Sequence, residues 1–432
     1  MGEQIRGTRS VCPVCLDNIP ASLVREADGR VFLEKSCPEH GSWRVLVWEG
    51  KTDFDRWLSG AEPLSPEAGL SCPGACGICS EHEIGTCCAL LEVTERCNLR
   101  CRYCFADGGK NAADPPREEC EAAIRDIVRQ CGQPLLQFSG GEPTLREDLP
   151  ELIRFARESG CSSTQVNTNG IRLAEDPDYA KRLRDAGLDI VFLQFDGTRN
   201  DIYETLRGRP LLETKLEAVR VCTQMNLGVT LVPTVVRGVN DGNLGELVRL
   251  ASSLAPAVRG IHFQPVSYFG RYPGLPGEED RYTLDRLMRD LCEQAGIPME
   301  SFLPSRCDHP LCGFHASFLI RPEGGLKPLN AITHASRSRG CEKDNRDYVI
   351  RHWKRPLEEP NPRSGSSGDF SEEMDFDTFL YRLQYHSLTL SAMAFQDAMN
   401  LNVERLHRCS LHVYDRGRIK PFCAKYLSPV KP

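Results

Sequence analysis

The sequence predicts an α/β fold: a partial (βα)6 barrel with an N-terminal metal ribbon and a C-terminal extension. Three observations predict it. Six continuous apolar runs alternate with amphipathic helical patterns between residues 90 and 296, as in a parallel sheet covered by helices. Polar residues recur just after those runs, where α/β barrels gather their chemistry. The 21 cysteines fall in tight groups. An open doubly wound sheet is the competing arrangement. At about 150 residues per domain, 432 residues suggest two or three domains.

The elements follow in order. Residues 1–60 hold Cys12-Pro-Val-Cys15 and, after a gap, Cys37-Pro-Glu-His40-Gly. Two short ligand pairs on opposed knuckles suit one tetrahedral metal, either zinc or rubredoxin-like iron, held by Cys12, Cys15, Cys37 and a fourth ligand that is His40 or a later cysteine. Leu23–Leu33 and Trp43–Trp48 read as short strands. Their apolar residues are too few for an independent core, so the metal is expected to staple the ribbon. Residues 61–89 form a Pro/Gly/Ser-rich linker with Cys72, Cys76 and Cys79 in a C-x3-C-x2-C run, then Cys87 and Cys88. Such a run lets three thiolates wrap one face of a cluster.

Residues 90–296 carry the repeats. Strand-like runs are Leu90–Thr94, Leu135–Ser139, Thr164–Asn167, Ile190–Phe195, Val229–Val236 and Ile261–Val266. Helical patterns are Glu118–Cys131, Glu147–Glu158, Tyr179–Ala186, Leu212–Met225, Leu244–Leu254 and Leu284–Ala295. Residues 297–432 lack this alternation and contain Cys307-Asp-His-Pro-Leu-Cys312, Cys409 and Cys423, with a Pro/Ser/Gly-rich loop at 355–368.

Composition removes several functions. The chain is 40% hydrophobic and 26% charged, a globular balance. Lys plus Arg is 53 against 60 Asp plus Glu, a formal charge of −7. That argues against a generally basic nucleic-acid binder. No run approaches the ~20 apolar residues of a membrane span. The N-terminus lacks a signal-peptide core, and Arg6 stands where myristoylation wants Ser or Thr. A cytoplasmic location is expected. Without an export signal, so many cysteines point to zinc or iron–sulfur centres rather than disulfides.

The strongest chemistry follows the first strand: Cys97-Asn-Leu-Arg-Cys101-Arg-Tyr-Cys104. Three thiolates on a four-iron cube leave one iron for a small molecule. After the second strand comes Ser139-Gly140-Gly141-Glu142-Pro143. Its glycines allow close backbone approach, and its glutamate suits an ammonium. Polar groups close the other strands: Asn167 and Asn169, then Asp196, then Thr234, then Ser267, Tyr268 and Arg271. Six polar strand ends are expected to face one mouth.

The triad spacing, its aromatic Tyr103 and the GGEP segment resemble the radical S-adenosylmethionine (SAM) superfamily. The resemblance implies a partial radical SAM barrel with a [4Fe-4S] cluster on Cys97, Cys101 and Cys104. Its open iron would chelate SAM, and one-electron reduction would yield a 5′-deoxyadenosyl radical that abstracts substrate hydrogen. Gly140, Gly141 and Glu142 would contact the SAM amino end, Tyr103 would present its backbone near adenine, and Asn167, Asn169 and Asp196 would be further SAM or substrate contacts.

The order of cysteine motifs resembles the multi-cluster radical SAM group that includes archaeal tetraether lipid synthase and related bacterial (seleno)proteins. That likeness makes Cys72, Cys76, Cys79, Cys307, Cys312, Cys409 and Cys423 candidate ligands of one or two auxiliary [4Fe-4S] clusters in a cluster-binding C-terminal extension. Cys87 or Cys88 would complete the set. The remaining cysteines, Cys341 among them, are treated mostly as packing residues. The expected partners are an unidentified substrate and a low-potential donor of flavodoxin or ferredoxin type. Substrate classes are a lipid chain, a small heterocycle such as a pterin, and a peptide side chain. A groove lined by Phe302, Leu303, Phe314, Phe318, Leu319, Phe379 and Leu380 would suit the lipid, although core packing explains those residues better. The rival functions are a non-catalytic iron–sulfur carrier or scaffold and a zinc-only regulator.

Overall fold

A computed structural model describes residues 2–430, apart from 60, 62, 64–67, 75–76, 110–111, 278–280, 306, 322–323, 330–340 and 356–375. The N-terminal ribbon is a four-stranded antiparallel sheet: Glu3–Val11, Asn18–Arg25, Val31–Cys37 and Gly41–Trp48, in that order. The single strand expected over Leu23–Leu33 is two strands. Asp28-Gly29 breaks it, with Gly29 at φ 86° and Asp28 accepting from the Arg30 backbone N–H at 3.1 Å.

The ribbon does not stand alone. Leu23, Leu33 and Trp48 belong to the same buried core as the barrel. Asp285, on the helix Leu284–Ala295, accepts from the backbone N–H groups of Glu49 and Lys51. Arg6 pairs with Glu404 at 2.9 Å, and Trp57 donates its indole N–H to Pro310 O at 3.0 Å. The ribbon's apolar deficit is met by the barrel as well as by any metal.

Six parallel strands form the barrel wall: Cys88–Thr94, Leu135–Gly140, Ser163–Thr168, Ile190–Gln194, Gly228–Val232 and Val258–Pro265. Consecutive strands are neighbours throughout. The run expected over Val229–Val236 is interrupted at Pro233, which has no N–H for the ladder, and Thr234–Val235 pairs separately with the sixth strand. Outer helices bury apolar faces on the sheet, as in Arg117–Cys131 with Cys120, Ala123, Ile124 and Ile127 inward.

The C-terminal region extends this sheet at both edges. Ser387–Met393 runs parallel beside the sixth strand and Gly313–Ile320 pairs antiparallel beyond it. Leu411–Asp415 runs parallel beside the first strand, followed antiparallel by Arg418–Pro421. Among the described residues the two edges do not pair, so the barrel is partial. Phe302, Phe314 and Phe318 pack in the core. Among the described residues no helix is long and apolar enough to cross a membrane.

Candidate active site

The three thiols Cys97, Cys101 and Cys104 leave the first strand on one loop and share an apolar cluster with Leu99, Ile171 and Tyr203. Neighbouring elements fix that loop. The Gly141 N–H donates to Thr94 O at 2.8 Å and the Glu142 N–H to Arg96 O at 2.7 Å. A Cβ at Gly141 would lie 2.1 Å from Arg96 O, and one at Gly140, whose φ is +118°, 2.2 Å from Thr94 O. The two glycines therefore let the thiol loop lie on the end of the second strand. Arg271 holds the other side: its backbone exchanges hydrogen bonds with Cys104, and its Nε donates to Cys101 O at 2.9 Å.

Burial pushes the Cys97 thiol up to about 12, and the charges of Glu142, Cys101 and Cys104 add to this. A bound metal reverses the balance, because a coordinating thiol is deprotonated. Three converging thiols beside a glycine cradle fit a cluster with an open corner.

Glu142 is almost fully buried. One carboxylate oxygen accepts from Thr144 N–H at 3.1 Å, Thr144 Oγ1 at 2.6 Å and Thr168 Oγ1 at 2.7 Å. The other accepts from the Asn169 N–H at 2.7 Å. A carboxylate offers about four acceptor sites. Glu142 thus ties two strand ends together through Oε1, while Oε2 accepts one bond and the residue lines the cavity.

The polar strand ends do not all open on one mouth. Asp196 is buried, off the cavity wall, in a two-pronged pair with Arg207 at 2.5 and 2.7 Å. Arg207 reaches Tyr103 O at 3.4 Å, so Asp196 bears on the thiol loop through it. Asn169 is engaged with Asn98 at 2.7 Å and with the Ile171 N–H. Ser267 donates to Phe395 O, and the Tyr268 N–H to Asp397. Asn167, Asn169, Thr234 and Ser267 nevertheless line one cavity, whereas Asp196, Tyr268 and Arg271 do not.

Arg207 and Lys215 went unread in the sequence. Lys215 is buried, donates to Asn169 O, and burial lowers its ammonium to about 8. It carried a signal: it sits at helical spacing with the buried Ala218, Val219 and Cys222 on Leu212–Gln224, a charge on an apolar face. Arg207 closes a short helix, Asn200–Arg207, whose partner is eleven residues away and leaves no local pattern.

A cavity of about 1450 Å³ runs from the thiols and Gly140–Glu142 through the barrel interior. Its wall carries the amides of Gln137, Gln165 and Gln194 and the rings of Phe192, His262 and Trp353. Gln165 Nε2 donates to Gln137 Oε1 at 2.7 Å, while Gln165 Oε1 is buried with no partner among the described residues. The Phe192 and Trp353 rings lie 5.4 and 5.6 Å from His262, and its Nδ1 faces Ser391 Oγ at 2.9 Å.

The ribbon thiols converge as well. The ligand atoms of Cys12, Cys15, Cys37 and His40 all lie within 4.8 Å of one another. His40 Nδ1 is 3.7 Å from Cys12 Sγ and 3.5 Å from Cys37 Sγ, and the Val14 N–H donates to Cys12 Sγ. Four such ligands fit a tetrahedral ion.

The other cysteines separate into neighbourhoods. The buried Cys312 and Cys423 and the half-buried Cys409 lie near one another, and Arg405 donates to Cys312 Sγ at 3.3 Å. Burial pushes the Cys409 thiol up, and the charges of Asp308, Cys423 and Cys312 reinforce that. Cys307 lies instead near Cys87 and Cys341, its thiol donating to Cys341 O at 2.7 Å. Cys341 is exposed at the start of Glu342–Trp353, so it is not a packing residue. Cys72 faces His407, Cys79 is exposed, and Cys76 lies outside the described residues.

A radical SAM superfamily family model matches residues 91–251, and an HMPTM N-terminal zinc ribbon domain model matches residues 4–49. The 7,8-dihydro-6-hydroxymethylpterin dimethyltransferase of Methanocaldococcus jannaschii is 32% identical over 469 aligned positions, covering 96% of this chain and 92% of that protein. The Fe-coproporphyrin III synthase of Methanosarcina barkeri is 32% identical over 50% of this chain and 55% of its own. The crystal structure of Streptococcus suis SuiB bound to S-adenosylmethionine aligns with a TM-score of 0.38 at 16% identity, over 50% of each chain.

Proposed function

The chain belongs to the radical SAM superfamily and is a radical SAM enzyme with an N-terminal zinc ribbon, and from that premise we propose that it methylates a reduced pterin-like heterocycle. One observation carries the substrate class: the cavity that begins at the three thiols holds on its wall a buried amide oxygen without a partner among the described residues, Gln165 Oε1, together with the aromatic rings of Phe192 and Trp353. A buried acceptor of this kind calls for a donor from a ligand or water. A planar heterocycle rich in N–H groups supplies donors for the amides and faces for Phe192 and Trp353. The relative that matches along nearly the whole chain is named for dimethylation of such a pterin.

In this reading Cys97, Cys101 and Cys104 hold the catalytic cluster. With SAM on its open iron, that cluster supplies a 5′-deoxyadenosyl radical on one-electron reduction. Gly140 and Gly141 let the thiol loop seat on the sheet, and Glu142 fixes the strand ends beneath it. Asp196 positions Arg207, which fixes the Tyr103 carbonyl where adenine is expected. The apolar cluster around the thiols keeps water from a reactive centre. Cys12, Cys15, Cys37 and His40 hold zinc. Cys72, Cys76, Cys79, Cys312, Cys409 and Cys423 serve one or two auxiliary clusters, and a cytoplasmic flavodoxin or ferredoxin supplies the electron.

The test is anaerobic reconstitution with dithionite, SAM and a reduced 6-hydroxymethylpterin, with SAM as both radical source and methyl donor: each methyl group consumes two SAM and two electrons from dithionite, and leaves methionine, 5′-deoxyadenosine and S-adenosylhomocysteine. The expected products are 5′-deoxyadenosine and a pterin heavier by one or two methyl groups. Gln165→Leu is expected to raise the pterin KM about tenfold or more, since a lost buried hydrogen bond costs about 1–3 kcal/mol. 5′-Deoxyadenosine formed with the pterin unchanged overturns the substrate, and none formed with the triad loaded overturns the site.

A further inference from the structure

The far end of the cavity carries a cation with no carboxylate beside it. Arg259 stands at the start of the sixth barrel strand, Val258–Pro265, whose carboxyl end lies on the side of the thiols. The strand rises about 20 Å between Arg259 and Pro265. Arg259 lines the cavity and is only 3% exposed. A charge so deeply buried is normally paired with its opposite. Arg146, Arg207 and Arg281 are buried to a like degree, and each holds an aspartate within 2.8 Å.

Arg259 has no such partner among the described residues. It donates to His352 O and Tyr385 O at 3.3 Å and to Ser387 Oγ at 3.4 Å. These long bonds, to two helix ends and a hydroxyl, use three of its five N–H groups and leave one on each terminal nitrogen. Burial and the charge of Arg355 lower the guanidinium to about 10, so it stays charged at neutral pH. Arg351, Lys354 and Arg355 line the same cavity, and of these Lys354 holds Asp189 at 2.6 Å. The carboxylates of the wall stand elsewhere: Glu142 near the thiols, Asp308 next to Cys307, and Asp344 against Cys341.

The aromatic face offered to the heterocycle adjoins this cation. Gly260 follows Arg259, and a Cβ there would lie 3.4 Å from Trp353 Nε1. The Trp353 ring lies 5.6 Å from that of Phe192. A bicyclic ring against Trp353 is thus within a substituent's reach of Arg259. The cavity, about 1450 Å³, exceeds the roughly 300–1,000 Å³ of an ordinary ligand pocket and leaves room for such an extension.

We propose that Arg259 anchors an anion subsite and that the substrate is a reduced pterin whose side chain ends in a phosphate or a carboxylate. The inference rests on the reading above that a pterin-like ring occupies this cavity. Two N–H groups of one guanidinium suit two oxygens of such an anion. The anion brings the counter-charge that the described residues lack, and its seating sets which ring carbon faces the thiols. The neutral alcohol is then the poorer substrate.

The holoenzyme is assayed with dithionite, SAM and three reduced pterins: 6-hydroxymethylpterin, its phosphate monoester, and an analogue with a carboxylate-ended side chain. One anionic pterin is expected to show a KM about tenfold or more below that of the alcohol, the range of a charge-assisted hydrogen bond. Which of the two does so identifies the anion. In Arg259→Gln the ratio is expected to fall to about one. Arg259→Lys keeps the charge but not the fork; a reduced ratio is expected there, and it decides the matter if Arg259→Gln does not fold. Calorimetric titration of the same pterins without dithionite reads binding apart from turnover, and the same order is expected. Equal KM values for all three, or a preference unchanged in both variants, overturn the anion subsite and leave the pterin reading standing. No pterin bound or methylated while 5′-deoxyadenosine forms overturns the pterin reading and this inference with it.

Discussion

A methyl group at Gly141 would sit 2.1 Å from the Arg96 carbonyl, and that carbonyl belongs to the loop presenting the three thiols. Backbone cannot rotate aside as a side chain can, so the loop itself must shift. Overpacking of this kind costs about 1–3 kcal/mol. Gly141→Ala is therefore expected to lower iron and sulfide by the catalytic cluster's share and to cut 5′-deoxyadenosine formation more than tenfold. Gly242→Ala is the control: its φ lies outside the left-handed region and its Cβ meets nothing within 4 Å, so cluster content is expected to hold.

His262 supplies a pH signature. Burial lowers its imidazole from 6.5 to about 4. Between those values the unfolded chain binds a proton that the folded chain refuses. Folded stability therefore falls as pH drops from 6.5 towards 4, by about 3 kcal/mol in all. In metal-free protein, denaturant titrations of the wild type are expected to show a steeper loss over that window than those of His262→Gln. Equal slopes refute the assignment. At neutral pH the ring is uncharged beside Phe192 and Trp353, as suits the face of a heterocycle.

At the scale of elements, legibility followed how local the cause was. The helix Leu284–Ala295 was readable to the residue, because Thr283 caps one end and Gly296 the other. The barrel strands were readable because burial on both faces leaves continuous apolar runs. The strand Ser387–Met393 was not, because Ser387, Thr389 and Ser391 face the cavity and make its run look mixed. The break at Pro233 was visible in the sequence but outweighed by the valines around it. The triad and GGEP stood out through their resemblance to the radical SAM superfamily, whose family model covers residues 91–251. The hydrogen bonds of Glu142, Asp196 and Asn169 were not legible, since their partners Thr168, Arg207 and Asn98 lie elsewhere in the chain. The contact between Cys72 and His407 stayed hidden for the same reason, its partners being 335 residues apart.

The whole molecule binds its ribbon at two levels. The metal knuckles gather Cys12, Cys15, Cys37 and His40 at one end. The opposite end offers Leu23, Leu33 and Trp48 to the barrel's core and lets Asp285 accept from Glu49 and Lys51. A ribbon held only by metal unfolds when the ion leaves. Burying three large apolar side chains is worth about 1.5–3 kcal/mol each, which keeps this ribbon docked without its ion. Chelation of the ribbon metal is thus expected to lower the thermal midpoint while leaving one cooperative transition in calorimetry. The same treatment of a Trp48→Ala variant, with the apolar anchor cut back, is expected to split off a second, cooler transition. A separate ribbon transition in the chelated wild type would mean that the metal, not the shared core, joins the two parts.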